Sequence, residues 1–244
     1  MTDAAERARI LEFAAELYER DRARLIAYLV REAGKTLEAA QAELREAVDY
    51  LRYYAGEARR LFSEPVRLKG PTGEENLLAL RARGPFAAIS PWNFPLAIFT
   101  GQIAAALAAG NPVIAKPAEQ TPLMAFLAVQ LLHEAGVPKT VLHLVTGGGK
   151  LGEALIKDPR IAGVVFTGSN DTAWAIQKNL AGRRGPIIPF IAETGGINAM
   201  IVDSTALLEQ VIDDVMTSAI ASAGQRCSAL RLLCVQEDVA DRLL

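Results

Sequence analysis

Three side chains in the sequence have the chemistry to act on a carbonyl group: Cys227 in SAGQRCSA, Glu193 in IAETGG and Asn93 in PWNFP. Cys227 offers a thiol nucleophile, and the adjacent cation Arg226 would stabilise its thiolate. Glu193 ends an apolar run, where desolvation would suit a general base that activates water. Asn93 lies between two prolines that restrict its backbone, so its amide could donate to an oxyanion. Each also has a structural alternative: a packed cysteine, a capping carboxylate and a turn-forming asparagine.

Two glycine-containing segments are suited to a phosphate group. FTGS closes a predicted strand and opens a helix, so Gly168 and Ser169 would present backbone N–H groups to an anion. The alternative is an ordinary turn in which Ser169 caps the helix. TGGGKLG supplies Gly147 and Gly149 to a loop that is either a phosphate cradle or a flexible turn.

A third polar segment, KPAEQTP, presents Lys116 and Glu119 at the end of a predicted strand. The pair either holds ribose hydroxyl groups or is a solvent-exposed pair in a loop. The two cysteines lie seven residues apart and the chain has two histidines, a pattern that matches no metal spacing. No metal site is therefore expected, and Cys234 is interpreted as a core residue of a strand.

The elements that must position these residues alternate between strand and helix. Strands are predicted within NLLALRA, FAAIS, PVIAKP, VLHLV, AGVVFTG and IIPFIAE, and helices over 97–109, 123–135, 151–157, 171–180 and roughly 207–222. This alternation predicts an α/β fold with a mostly parallel, Rossmann-like sheet. The polar segments fall at the carboxyl ends of the strands, where open sheets of this type bind ligands.

The same pattern divides the chain into two domains. A nucleotide-binding domain is predicted over 1–196, with N-terminal helices over about 1–62 and a linker or hairpin over about 63–83. Residues 197–244 are predicted to begin a second α/β domain, the catalytic domain. The last residues read as a newly started helix with no return to the sheet, so we expect a chain that is cut short.

Composition excludes several classes of protein. Apolar residues make up 51% and charged residues 22%, with a net charge of −2, so the chain is globular and has no electrostatic footprint for nucleic acid. Reduced cysteines suit a reducing compartment such as the cytoplasm. Residues 84–115 carry no charge over 32 positions, but four prolines, two asparagines and Gln102 within them argue against a membrane span.

The order of PWNFP, KPAEQTP, FTGS, ETGG and GQRC resembles the aldehyde dehydrogenase superfamily, as does the 34-residue interval from Glu193 to Cys227. Longer segments, including VREAGKT, EAVDYLRYYA and SAGQRCSALR, are similar to the L-glutamate γ-semialdehyde dehydrogenase module of bacterial proline utilization A proteins. The resemblance implies NAD-dependent oxidation of an aldehyde, most specifically L-glutamate γ-semialdehyde, in proline catabolism. It also implies a homo-oligomeric full-length protein, which in some relatives is fused to a proline dehydrogenase module.

The resemblance also assigns roles to individual residues. Cys227 would be the nucleophile, Glu193 the general base and Asn93 the oxyanion donor. The implied cofactor residues are Ser90, Pro91, Trp92, Lys116, Glu119, Gly147, Gly149, Thr167, Gly168, Ser169, Glu193, Thr194 and Gly195. The implied substrate residues are Asn93, Phe94, Arg226 and Ser228.

Two departures from the family pattern leave alternatives open. The loop from Gly147 to Gly152 is one residue shorter than the family's usual glycine motif, and the family's E-x-F-G-P motif does not occur in this sequence. A general aldehyde dehydrogenase with another substrate, or a non-catalytic NAD-binding fragment, therefore remains an alternative.

The missing motif leads to a prediction about the isolated 244-residue chain. Because the E-x-F-G-P motif contacts the nicotinamide ribose in the family, we expect weak NAD binding and little or no turnover. Absorbance at 340 nm in the presence of NAD and L-glutamate γ-semialdehyde measures the turnover. Robust NAD reduction by the isolated chain would contradict the expectation.

Overall fold

The computed structural model describes residues 2–243, which begin with three helices. These are α1 (Ala4–Arg20), α2 (Arg22–Ala33) and α3 (Leu37–Phe62). The Asp3 carboxylate caps α1 by accepting from the Glu6 amide at 2.7 Å. The Thr36 hydroxyl caps α3 by accepting from the Ala39 amide at 3.1 Å. Gly34 ends α2 with a φ of 67°, a left-handed conformation that glycine adopts without strain.

A hairpin follows the helices. Strands β1 (Val66–Lys69) and β2 (Glu75–Leu78) pair antiparallel, and seven of their eight residues are exposed. The strand predicted within NLLALRA is shorter than that segment, because β2 ends at Leu78.

The main sheet contains five strands in the order β5-β4-β3-β6-β7. They are β3 (Phe86–Ile89), β4 (Val113–Lys116), β5 (Leu142–Leu144), β6 (Gly163–Gly168) and β7 (Phe190–Thr194). Strand β3 pairs in parallel with both β4 and β6, and β4 pairs in parallel with β5. The predicted α/β class with a Rossmann-like parallel sheet is confirmed.

Helices make the connections between these strands. They are α4 (Ala97–Ala108), α5 (Pro122–Glu134), α6 (Gly149–Lys157) and α7 (Asn170–Ala181). The chain runs outward from β3 to β5 and then returns to place β6 on the other side of β3. The strand order therefore reverses between β3 and β6, and the carboxyl ends at such a reversal are where sheets of this type form a ligand-binding crevice.

The chain divides into two compact units, one ending at Ala192 and one beginning at Glu193. In the second unit, β8 (Asn198–Val202) pairs in parallel with β9 (Leu230–Val235), and helices α8 (Leu208–Val215) and α9 (Glu237–Leu243) complete it. The domain boundary predicted between residues 196 and 197 stays a prediction.

The helix predicted over 207–222 is regular only as far as Val215. A π-helical turn (Met216–Ile220) and a 3₁₀ turn (Ala221–Gly224) follow it. Ser222 and Ala223 have φ values of 57° and 51°, which residues with a Cβ rarely adopt. The Ser218 hydroxyl accepts from the Leu230 amide at 3.0 Å, so it ties this irregular segment to the start of β9.

Among the helices of residues 2–243, none is both long enough and apolar enough to span a membrane. The uncharged run of 84–115 instead forms β3, α4 and most of β4, with 20 of its 32 residues buried and Trp92 alone exposed.

Two leucines of α5 provide a test of the core. Leu132 is fully buried and Leu123 is 54% exposed. Leu132→Ala should lower the free energy of unfolding by about 2–5 kcal/mol, because it leaves a cavity. Leu123→Ala, its matched control, should change it by less than about 0.5 kcal/mol. Urea unfolding followed by circular dichroism measures both, and equal losses would show that α5 does not pack as described.

Candidate active site

The carboxyl ends of β3 and β6 are joined by one buried amide. Gln102 of α4 accepts from the Ser90 hydroxyl at 2.7 Å, and its Nε2 donates to the Thr167 hydroxyl at 3.0 Å. The same Nε2 donates to the Ile89 carbonyl at 3.3 Å. The structure therefore brings together Ser90 and Thr167, two of the residues implied for the cofactor, at the crevice between the strands.

The FTGS segment lies at the same crevice. Ser169 is the N-cap of α7, and its hydroxyl accepts from the Thr172 amide at 3.3 Å. A Cβ added to Gly168 would lie 2.6 Å from the Phe166 ring, so only glycine fits this approach. The turn thus presents a helix N-terminus at the strand end, as the sequence predicted for an anion site. The hydrogen bond from Thr172 shows that Ser169 also caps α7, which was the structural alternative to anion binding.

Lys116, Glu119 and the glycine loop form a second group. A Cβ added to Gly148 would lie 2.5 Å from Glu119 Oε2, and one added to Gly152 would lie 3.6 Å from Lys116 Cδ. The 147–152 loop therefore lies directly against both side chains. Lys116 is only 7% exposed, and its Nζ donates to the Pro117 carbonyl at 2.9 Å. Burial lowers the pKa of the Lys116 ammonium, and the Glu119 carboxylate opposes that shift.

The segment that carries Asn93 runs from Ser90 to the start of α4. Trp92 is 41% exposed, whereas Asn93 and Phe94 are partly buried. At its far end, the Leu96 and Ala97 amides donate to one oxygen of Glu43, a buried carboxylate of α3. Burial raises the pKa of the Glu43 carboxyl, and nearby Lys35 and the two amides oppose the rise.

Cys227 lies in the second unit, in the loop before β9, and is exposed. Its carbonyl accepts from Asn198 Nδ2 at 2.7 Å, and the Ala229 carbonyl accepts from the same nitrogen at 2.9 Å. One amide of β8 therefore holds the backbone of Cys227 and of Ala229, two residues further along. Arg226 directs its guanidinium to the Ser222 hydroxyl at 3.1 Å, and Ser228 is exposed.

Two expectations about this unit are wrong. Glu193 was expected to be desolvated at an apolar strand end, but β7 is exposed over Ile191–Glu193, so the carboxylate is exposed too. Cys234 was expected in the core, but its side chain lies on the open face of the two-stranded sheet. In both cases an apolar strand run is covered on fewer faces than its composition indicated.

The predicted residues are thus placed in two groups. The first unit holds Ser90, Pro91, Trp92, Asn93, Phe94, Lys116, Glu119, Gly147, Gly149, Thr167, Gly168 and Ser169. The second holds Glu193, Thr194, Gly195, Arg226, Cys227 and Ser228. The roles of all of them stay predictions. Within residues 2–243, no three His, Cys, Asp or Glu side chains form a group that could hold a metal ion.

Sequence analysis missed Gln102 and Asn198, the two amides that hold these segments. Gln102 is a polar residue within the uncharged run of 84–115, and that isolation was a usable signal. Asn198 begins β8 directly after Ile197 and gives no comparable signal in sequence.

Gln102 can be tested directly. Gln102→Leu removes both hydrogen-bonding ends of the side chain at similar volume and leaves the Ser90 hydroxyl buried without its acceptor. We expect the free energy of unfolding to fall by about 1–3 kcal/mol. Gln130→Leu on the exposed face of α5 is the matched control and should have little effect. Urea unfolding measures both, and a neutral Gln102→Leu would show that the amide does not bridge the strands.

The sequence and structure were compared with known proteins. The profile of the aldehyde dehydrogenase family matches residues 1–244. The chain is 57% identical over 247 residues to the bifunctional protein PutA of Klebsiella aerogenes, an alignment that covers 100% of this chain and 18% of that protein. It is 38% identical over 247 residues to the 1-pyrroline-5-carboxylate dehydrogenase of Geobacillus thermodenitrificans, covering 100% of this chain and 48% of that protein.

Solved structures agree with these relatives. A structure of proline utilization A with proline bound in remote sites matches with a TM-score of 0.98 and 64% identity, over 100% of this chain and 25% of that one. A structure of PnpE in complex with nicotinamide adenine dinucleotide matches with a TM-score of 0.94 and 30% identity, over 100% of this chain and 50% of that one. This chain thus spans half or less of the length of each relative. Its whole length nevertheless matches the profile, and the chain belongs to the aldehyde dehydrogenase family.

Proposed function

We propose that the protein containing this chain oxidises L-glutamate γ-semialdehyde to L-glutamate with NAD. The observation that carries the proposal is that two groups of relatives, PutA and the 1-pyrroline-5-carboxylate dehydrogenases, match the entire chain. 1-Pyrroline-5-carboxylate is the cyclic imine that forms when this semialdehyde loses water, so the name of the second group points to this substrate. The name proline utilization A points to the breakdown of proline. The activity would be a step of proline catabolism.

The first unit supports the cofactor part of the proposal. Lys116 and Glu119 would bind ribose hydroxyl groups, with the glycine loop of 147–152 packed against them. The N-terminus of α7, behind Gly168 and Ser169, would receive the pyrophosphate. When bound, NAD supplies the acceptor for the hydride that leaves the substrate. A neighbouring structure contains that dinucleotide.

Three residues would carry out the covalent steps of the reaction. The Cys227 thiolate adds to the aldehyde carbon, and the resulting thiohemiacetal oxyanion accepts from the Asn93 amide and the Cys227 backbone N–H. Loss of a hydride from that carbon leaves a thioester. Glu193 takes a proton from water, the water attacks the thioester, and the carboxylate leaves as the thiol is restored. Arg226, Ser228 and Phe94 would bind the substrate around the thiol.

The proposal extends to the context of the protein. Because the PutA relatives are bifunctional and much longer than this chain, we propose that it too belongs to a larger, homo-oligomeric protein that carries a proline dehydrogenase module. Its two free cysteines suit a reducing compartment, so a cytoplasmic location is proposed.

The two exposed cysteines provide a matched test in the full-length protein. Cys227→Ala should lower kcat for L-glutamate γ-semialdehyde by at least about 10³-fold, because it removes the sulfur that forms the thioester in the proposed reaction. NAD affinity should be largely unchanged. Cys234→Ala removes a thiol that is also exposed but has no proposed role, and it should keep activity.

NAD reduction at 340 nm and NAD titration by fluorescence measure the two effects. Activity that survives Cys227→Ala would reject the nucleophile assignment. A panel of propanal, benzaldehyde and L-glutamate γ-semialdehyde tests the substrate separately. Higher kcat/KM for either simple aldehyde would favour a general aldehyde dehydrogenase.

A further inference from the structure

A buried carboxylate stands at the start of α4, immediately after the segment that carries Asn93. Glu43 of α3 is 1% exposed. Its Oε1 accepts from the Leu96 amide at 2.8 Å and from the Ala97 amide at 3.1 Å. These amides belong to the first turn of α4, where helix N–H groups have no partner within the helix. Glu43 therefore supplies, from another helix, the cap that the local sequence of α4 lacks.

Lys35 connects this cap to the neighbour of Asn93. Its Nζ lies 2.6 Å from Glu43 Oε2, and its side chain is only 9% exposed. The same Nζ lies 3.9 Å from the centroid of the Phe94 ring, within the range of a cation–π contact. One ammonium thus touches both the carboxylate that caps α4 and the aromatic ring that follows Asn93 in the chain.

Stability alone is a weak reason for such a pair. Removing two charges from water costs about as much as their attraction returns, so buried ion pairs often add nothing over apolar residues of similar size. The contacts of this pair are instead directional. They fix the backbone at Leu96 and Ala97 and the ring at Phe94, which are three positions within four residues of Asn93.

We infer that Lys35 and Glu43 are positioning residues that hold the Asn93 amide in place for the oxyanion. The inference rests on the proposed function of Asn93. The pair is not assigned a contact with substrate or cofactor, and it acts through Phe94 and the first turn of α4. An amide displaced by about 1 Å loses up to about 10²-fold in rate. The pair should therefore affect the chemical step more than cofactor binding.

Two single variants each change one partner of the Lys35–Glu43 ion pair. Glu43→Gln keeps an oxygen for the two amides but places a neutral amide beside the ammonium. Lys35→Met keeps a side chain of similar length without the charge. In the full-length protein, each should lower kcat about 10-fold and change the KM for NAD less than about 2-fold. The double variant Lys35→Met/Glu43→Gln removes the unpaired charge and should recover part of kcat.

The decisive experiment repeats Glu43→Gln in an Asn93→Ala background. If Glu43 acts through Asn93, the second change should lower kcat less than about 2-fold there, against about 10-fold in the wild type. Equal effects in both backgrounds would overturn the inference, because a merely structural role is additive. Asp49→Asn, on the exposed face of α3, is the matched control and should leave kcat unchanged.

A second readout does not depend on activity. Hydrogen exchange followed by mass spectrometry should show faster exchange across 90–97 in Glu43→Gln and Lys35→Met, with no change across the β4 segment. Unchanged exchange across 90–97 would overturn the inference even for an inactive protein. If Asn93→Ala is as active as the wild type, the oxyanion role proposed for Asn93 is wrong. The exchange data are independent of that result, because they test only whether the pair holds residues 90–97 in place.

Discussion

The structure depends on the burial of an uncharged run of 32 residues, from 84 to 115. This run forms β3, α4 and β4, at the centre of the sheet and one of its covering layers. Because water is excluded, each polar group within it must find a protein partner. Asn111 accepts from the Arg83 and Gly84 amides at 2.7 and 3.2 Å. Gln102 likewise forms hydrogen bonds with groups at the ends of β3 and β6. Glu43 of α3 accepts from the two amides at the start of α4.

These obligatory hydrogen bonds link packing to chemistry. The groups that satisfy the buried run are the same groups that fix the ends of β3 and β6 and the approach to α4. The carboxyl ends of those strands are therefore held by hydrogen bonds from the core itself. In the second unit Asn198 has a comparable role, since one side-chain nitrogen holds the carbonyls of Cys227 and Ala229.

The order of strands and helices followed from hydrophobic runs and turn residues, and the placement of polar segments at strand ends followed from parallel connectivity. Partners that are distant in sequence could not be predicted this way. Gln102 meets Thr167 across 65 positions, and no local pattern encodes that contact. The helix predicted over 207–222 is irregular after Val215, and there too the Ser218 hydroxyl has a distant partner, the Leu230 amide.

The predicted site residues were recovered unevenly. Lys116, Glu119 and the glycine loop lie together, since each follows a strand end on the same side of β3. Burial was the quantity that sequence misjudged, as the exposed Glu193 and Cys234 show. An apolar strand signals that some surface will be covered, but it does not say how many layers of the same unit cover it.

The strand order has a consequence for how the chain is made. In the finished sheet β3 is interior, but its partner on one side, β6, begins 77 residues later along the chain, since Phe86 pairs with Gly163. At about 5–20 residues per second, ribosomal synthesis leaves that edge of β3 open for about 4–15 s. An apolar strand with an open edge is a site of aggregation. The central strand of this fold is thus an edge strand for the first seconds after it is synthesised.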